Sequence, residues 1–189
     1  MQEELLFIRP TKEYESQAIE YIEEFYKYNS KVNGTGGLDD YIDNYDTWLN
    51  LLEEDRTRET TEDRVPSETF MLVRKNDNCL IGMINVRFEL NSKLLKWGGH
   101  IGYGIRPTER RKGYNSYQLY LALKYCKQRG MDRVLLTCNK NNVGSMKTIL
   151  KYLGVLENEI RLEDGQITQR YWIDVDSALD LGDKMYIKK

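Results

Sequence analysis

The stretch Ile101-Gly102-Tyr103-Gly104-Ile105-Arg106-Pro107-Thr108-Glu109-Arg110-Arg111-Lys112-Gly113-Tyr114-Asn115 decides how the chain is read. Its first residues suit a strand, which Pro107 ends because proline has no N–H to continue a ladder. A basic turn follows, and Gly113 stands at the mouth of a helix whose Tyr114, Tyr117, Leu121 and Tyr125 mark one face. The first amides of a helix have no internal acceptors, and the helix dipole adds positive potential there. Gly113 removes a side chain from the approach to those amides, and Arg110, Arg111 and Lys112 add charge. The pattern points to a site for a phosphate or pyrophosphate; a plain strand, turn and helix with surface arginines fits the same residues. The spacing is neither GxGxxG nor GxxxxGK[ST], so the dinucleotide and nucleoside-triphosphatase readings fail.

Outward from this segment the chain alternates between helical and extended patterns. Leu5–Arg9 reads as a first strand ended by Pro10, and Thr11 as the N-cap of a helix carrying Tyr14, Ala18, Ile22 and Phe25 at helical spacing. Residues 34–37, Gly-Thr-Gly-Gly, read as a flexible loop. A second helix is expected from Asp39 or Asp40 to about Glu54, and a polar loop from Asp55 to Ser67. Phe70–Arg74 and Leu80–Leu90 are strands joined by the hairpin turn 75–78, and Gly98–Arg106 is the next strand. The central helix spans about 111–129 and is closed by Gly130. Arg133–Cys138 is a strand, a helix runs from Asn142 to near Gly154, and 155–162 and 167–175 form a last hairpin across 163–166. Residues 176–189 are expected to form a loose tail behind a single domain of residues 1–175. The fold class is mixed α/β.

The composition sets limits. A chain of 189 residues with 40% hydrophobic and 31% charged residues suits one globular domain. No apolar run is long enough to cross a bilayer, and the acidic start MQEELLFIRP is unlike a signal peptide. A cytoplasmic location and no membrane partner are therefore expected. Cys79, Cys126 and Cys138 make no closed disulfide set and are expected to be buried thiols; with one histidine there is no metal cluster, so no metal is expected. The net charge of −2 hides an asymmetry: residues 38–63 carry ten acids against two arginines, and residues 106–133 carry eight bases against two acids. One region could hold a polyanion and the other a cation, although charge runs of this kind are commonly solvated helix faces. Without a recognised nucleic-acid-binding motif, no nucleic-acid partner is expected.

The central segment resembles the acyl-CoA-binding motif of the Gcn5-related N-acetyltransferase (GNAT) family, [RQ]-x-x-G-x-[GA], with Arg110 and Gly113 in place and Asn115 departing from the usual small residue. Pro107 sits where that family has proline after its fourth strand, and Asn142-Val143-Gly144-Ser145 lies where its members often place an Asn against the pantetheine arm. More narrowly, residues 98–114 and the ending from Glu157 to Ile173 resemble a subgroup of acetyltransferases without an assigned substrate. The resemblance implies a mostly antiparallel central sheet, flanked by helices and splayed between its fourth and fifth strands, near residues 100–106 and 133–138. It implies that acetyl-CoA lies in that wedge. Backbone groups of Tyr103, Gly104 and Ile105 would hold the pantetheine and polarise the thioester, the turn with Arg110 and the amides of Arg111, Lys112, Gly113, Tyr114 and Asn115 would hold the pyrophosphate, and Asn142 and Ser145 would contact the arm.

An amine acceptor must lose a proton before or during attack on the thioester. His100, one residue before Ile101, is the first candidate base, with an ordinary pKa of about 6.5; Glu89 is the second. A hydrogen-bonded strand histidine and a surface carboxylate are the plainer readings of the two. Family members often place a general-acid tyrosine seven residues after the Asn, where this chain has Ile149; Tyr152, one helical turn away, is the nearest substitute, although a core role suits it as well. Asp39, Asp43 and Asp46, at helical spacing, could wall a cationic acceptor, or simply cap and solvate a helix. Tyr171 and Trp172 are candidates to line an acceptor pocket, or core. The expected partners are thus a small-molecule or peptide amine, a cationic one included, and a second copy of the chain as a homodimer. A non-catalytic acyl-CoA-binding module is the alternative to an enzyme.

Overall fold

The computed structural model describes residues 4–187. Its elements in order are β1 (Leu5–Ile8), α1 (Glu15–Lys27), α2 (Tyr45–Asp55), β2 (Ser67–Arg74), β3 (Cys79–Arg87), β4 (Ile101–Ile105), α3 (Tyr114–Gln128), β5 (Arg133–Asn139), α4 (Val143–Lys151), β6 (Val155–Arg161), β7 (Ile167–Asp174) and α5 (Val175–Tyr186). The strands form a four-stranded sheet ordered β1-β2-β3-β4 and a three-stranded sheet ordered β5-β7-β6, antiparallel at every ladder. Among the described residues β4 and β5 share no ladder, only an isolated bridge between Gly99 and Leu136, so the layer is open between β4 and β5, as the resemblance implied.

β2 and β3 are buried along almost their whole length because both faces of the larger sheet are covered. On one face, α1 and α2 bring Ala18, Ile22, Phe25 and Trp48 onto Met71, Val73 and Met83. On the other, α3 brings Leu119, Ala122 and Leu123 onto Ile84, Val86, Leu136 and Ile173, and this cluster continues across the gap into the smaller sheet. The helices therefore hold together two sheets that the backbone ladders leave apart.

Several expectations are corrected. The segment after residue 175 is a helix, not a loose tail. Asp174 caps α5 by accepting from the Ser177 N–H, and Val175, Ala178, Leu179 and Gly182 recur at i, i+3, i+4 and i+7. Gly182 lies against the Tyr120 ring of α3, and the Tyr186 hydroxyl donates to Ser116 Oγ at 3.0 Å. Thr11 caps nothing with its side chain; a 3₁₀ turn at Lys12–Tyr14 precedes α1. The second helix begins at Tyr45, where Asn44 accepts from the Thr47 N–H, and Leu38–Asp40 form a separate 3₁₀ turn. Asp39, Asp43 and Asp46 therefore share no helix face. Asp39 accepts from the Thr35 hydroxyl and Asp46 pairs with Lys12, so the acidic wall does not form. Cys79 is only half-buried, whereas Cys126 and Cys138 are buried, and all three thiols are free. Among the described residues no cluster of three or more His, Cys, Asp or Glu side chains could hold a metal ion, and no helix is long and apolar enough to cross a membrane.

Candidate active site

β4 pairs with β3 through Gly102↔Asn85 and Gly104↔Met83, and Arg106 donates its N–H to the Ile81 carbonyl at 2.8 Å. Hydrogen-bonded pairs alternate along an antiparallel ladder. Residues 102, 104 and 106 thus spend their backbone groups on β3, and the N–H and C=O of Ile101, Tyr103 and Ile105 turn to the open edge facing β5. An extended amide chain entering the gap could pair with them as a strand would. The Ile105 carbonyl already accepts from Arg110 Nε at 3.1 Å, which leaves Tyr103 as the open residue in the middle of the strand.

At the carboxyl end of β4 the chain turns into α3. Arg111 and Gly113 both have positive φ, +66° and +90°, and successive conformations of this kind turn backbone N–H groups into one concavity. Among the described residues, the N–H groups of Lys112, Gly113 and Asn115 have no acceptor within the protein. A Cβ at Gly113 would meet nothing within 4 Å, so its face is open to a ligand. The basic side chains divide their work. Arg110 folds back, bonding the Ile105 carbonyl and Ser30 Oγ at 2.6 Å and stacking over Phe25, so it braces the turn against α1. Lys112 pairs with Glu109, which also holds Arg74. Arg111 is exposed and is the arginine of the motif left to face an anion.

Asn115, Tyr103, Ser145 and Thr148 meet in the gap. The Tyr103 hydroxyl and Ser145 Oγ lie 2.8 Å apart, and Asn115 Nδ2 reaches Thr148 Oγ1 at 3.3 Å. Burial pushes the Tyr103 hydroxyl pKa well up. Asn115 Oδ1 is buried and accepts no hydrogen bond among the described residues. A buried orphan acceptor beside an open strand edge is what an entering amide N–H would satisfy, so these residues fit the pantetheine arm of an acyl-CoA. Asn142 uses its side-chain oxygen to cap α4 through the Ser145 N–H at 3.1 Å, leaving its amide NH₂ for other partners.

At the amino end of β4, His100 closes the gap. Its N–H donates to the Leu135 carbonyl at 2.7 Å, and the Leu135 N–H donates back to His100 Nδ1 at 2.9 Å. Nδ1 is thus an acceptor, and the proton of the neutral ring sits on Nε2. Burial and the nearby Arg87 guanidinium hold the ring pKa down to about 4. His100 is a clasp between β4 and β5 with no lone pair free to take a proton. Glu89 lies past the end of β3, exposed, and accepts from the Thr60 hydroxyl. Tyr152 is fully buried and donates to the Ser116 carbonyl at 2.7 Å, which places it in the core beside Ile149. Tyr171 is also core, while Trp172 lies half-buried beside the His100 ring.

Sequence reasoning missed the other side of β4. The loop after α1, expected to be flexible, is packed: a Cβ at Gly34 would fall 2.6 Å from Tyr103 Cα and 2.7 Å from the Gly102 carbonyl oxygen, and its φ is +78°. Beside this contact the loop, β2 and β3 border an open pocket of about 330 Å³ that Asn33, Arg64, Ser67, Asn85 and Arg87 help to line. Gly34 was visible in the sequence, but Arg87 carried no signal because nothing local to it marks a site.

Residues 35–155, more than half of the chain, match the model of the acetyltransferase (GNAT) family. The chain belongs to that family. Its fold is shared with ribosomal-protein-S5-alanine acetyltransferase from Vibrio fischeri, at 13% identity and a TM-score of 0.68, covering 93% of this chain and 96% of that one. A chimera of spermidine N-acetyltransferase from Vibrio cholerae aligns with a TM-score of 0.64 at 15% identity, covering 93% and 98% of the two chains. A microcin C7 self-immunity acetyltransferase, solved in complex with acetyl-CoA and AMP, aligns with a TM-score of 0.63 at 16% identity, covering 92% and 93%. No curated protein matches in sequence. As a GNAT protein the chain is an acyl-CoA-dependent N-acyltransferase.

Proposed function

We propose that this enzyme moves the acetyl group of acetyl-CoA directly to a primary amine of an acceptor bound against β4. The observation that carries the reading is the gap between β4 and β5, with the Gly113 amide concavity at one end and the His100 clasp at the other. The thioester of acetyl-CoA supplies an activated acyl group with a thiolate leaving group. The chain supplies position and polarisation. The amides of Lys112, Gly113 and Asn115, with Arg111, hold the pyrophosphate. The Tyr103 N–H and C=O and Asn115 Oδ1 hold the amides of the arm, and a β4 N–H donates to the carbonyl oxygen as charge develops on it.

The proton balance follows from the side chains. His100 is neutral with Nδ1 occupied, and Glu89 stands outside the acceptor pocket, so the attacking amine passes its proton to water in the pocket mouth. A thiol ionises near pH 8–9, so the thiolate leaves without a proton donor and Ile149 at the family's usual tyrosine position is tolerated. The test is an acceptor screen with acetyl-CoA that reads free thiol and N-acetylated product together. Thiol release that depends on a particular amine supports the proposal. Tight CoA binding without acceptor-dependent release from any amine would instead indicate a non-catalytic acyl-CoA-binding module.

A further inference from the structure

Arg87 is the last residue of β3. Its backbone N–H donates to the His100 carbonyl, and Nη1 donates to the Gly99 carbonyl at 2.9 Å. Among the described residues, no carboxylate pairs with the guanidinium, and Nε and Nη2 make no hydrogen bond. Desolvation alone pulls its pKa down to about 10. Arg87 is half-buried, and arginines partly withdrawn from water are ordinarily matched by an acid. The two acids lining the same pocket are committed elsewhere. The Asp55 carboxylate is shared by Arg58 and Arg64, with Arg64 Nε at 3.0 Å, and Asp63 pairs with Lys93 at 3.0 Å. The Asp55 and Asp63 carboxylates are thus taken up by other cations, and Arg87 keeps one open fork, Nε and Nη2, available to an anion.

The fork is placed where an acceptor would lie. Residues on a strand alternate between faces. Tyr103 projects toward α4, and Gly102 and Gly104 belong to the opposite face, under the loop after α1. A Cβ at Gly102 would lie 3.2 Å from Arg87 Nη2 and 3.7 Å from the Gly34 N, so the missing side chain leaves the guanidinium directly over the β4 backbone. Asn85, one pair away, donates to Ser67 Oγ at 3.1 Å and Thr69 Oγ1 at 3.0 Å, which fixes a polar floor beside the arginine. The pocket volume of about 330 Å³ suits a small molecule.

From these placements we infer that the acceptor is a small amino acid: its amine is acetylated over β4 while its carboxylate is held by Arg87. The inference rests on the acetyltransferase reading and adds the substrate class. The planar fork matches a carboxylate with two parallel hydrogen bonds. In the reaction the amine nitrogen forms the new bond to the acyl carbon, the carbon–sulfur bond breaks, the electron pair leaves with sulfur and the amine proton goes to water. The carboxylate takes no part beyond anchoring.

The experiment compares alanine, leucine, phenylalanine and lysine, each beside its carboxamide and its decarboxylated amine. Equilibrium binding is measured on the CoA-saturated enzyme and initial rates with acetyl-CoA. At least one acid is expected to bind, and to be acetylated at lower KM, roughly a hundredfold better than its amide and amine. Arg87→Gln keeps a donor for the Gly99 carbonyl but removes the charge, and should erase that preference in KM and in binding. Arg87→Lys should restore part of it. If every amide or amine binds as well as its acid, or if Arg87→Gln keeps the preference, the inference is overturned. CoA binding is titrated separately. Loss of CoA binding in the unmodified enzyme would instead break the acetyltransferase reading, while the acid-against-amide comparison can still be read.

Discussion

At the carboxyl end of β4 the groups left without a partner among the described residues belong to the backbone. They are the N–H groups of Lys112, Gly113 and Asn115, with the Gly113 face open to solvent. At the amino end the comparable groups are side chains drawn from separate elements. His100 clasps Leu135, Arg87 reaches over Gly102 from β3, and Gly34 presses on β4 from the loop after α1. The first end is made by one local sequence, and its amides would suit any phosphate of the right size. The second exists only when three distant segments meet, and under the proposal above its charge and shape choose the acceptor. The contrast predicts different kinds of failure at the two ends.

The largest effect should come at the assembled end. Gly34→Ala adds a Cβ within 2.8 Å of backbone atoms on β3 and β4, at φ +78°, where neither strand can give way cheaply. A loss of about 3 kcal/mol in unfolding free energy is expected from left-handed strain and overpacking together. Denaturant titration checks it, and a loss below about 1 kcal/mol would mean that the loop rides free of the strand.

The local end should fail in binding rather than in folding. Gly113→Asp places a carboxylate in the anion site, and CoA affinity should drop about a hundredfold, close to 2.7 kcal/mol. Asn tolerates positive φ, so Gly113→Asn carries similar backbone strain without the charge and should cost less than tenfold. Calorimetric titration of CoA separates them. Equal losses in the two variants would make the effect steric and the amide concavity irrelevant.

His100 gives the smallest effect, and its sign is fixed by burial. Its pKa is about 4 when folded and about 6.5 when unfolded, so the folded state favours the neutral ring. That contribution is complete above pH 6.5 and is lost as the pH falls toward 4, where the unfolded chain binds a proton that the native protein refuses. Between pH 7 and pH 4 the protein should lose about 2 kcal/mol more stability than His100→Gln, read from paired melts. The turnover profile should carry no inflection near pH 6.5 that the substitution removes. Such an inflection would return His100 to the role of base.

How much of this was legible follows the same division. Residues 101–115 exposed the strand, the stop at Pro107 and the glycine-mouthed helix, because each signal lies within a few residues of its effect. The strands and the central helix were legible for the same reason, whereas the opening between β4 and β5 was expected only from the family resemblance. α5 was missed because its apolar stripe is interrupted by acids and is stabilised by packing on Tyr120 and Ser116, far away in sequence. The acidic wall of Asp39, Asp43 and Asp46 was overread: helical spacing persists on paper even where Asn44 starts a new helix.

By itself, then, the sequence determined what short-range forces determine: which segments extend or coil, where backbone amides are left without partners, and where a glycine opens the approach to them. Only the tertiary structure decided the roles of His100, Arg87 and Tyr103. A histidine becomes a clasp when a strand from the other sheet offers both an acceptor and a donor. An arginine keeps an open fork when the acids in its pocket are paired with other cations. A strand tyrosine becomes a bridge when a helix packs across a gap. Each role depends on distances between residues that the chain keeps far apart until it folds.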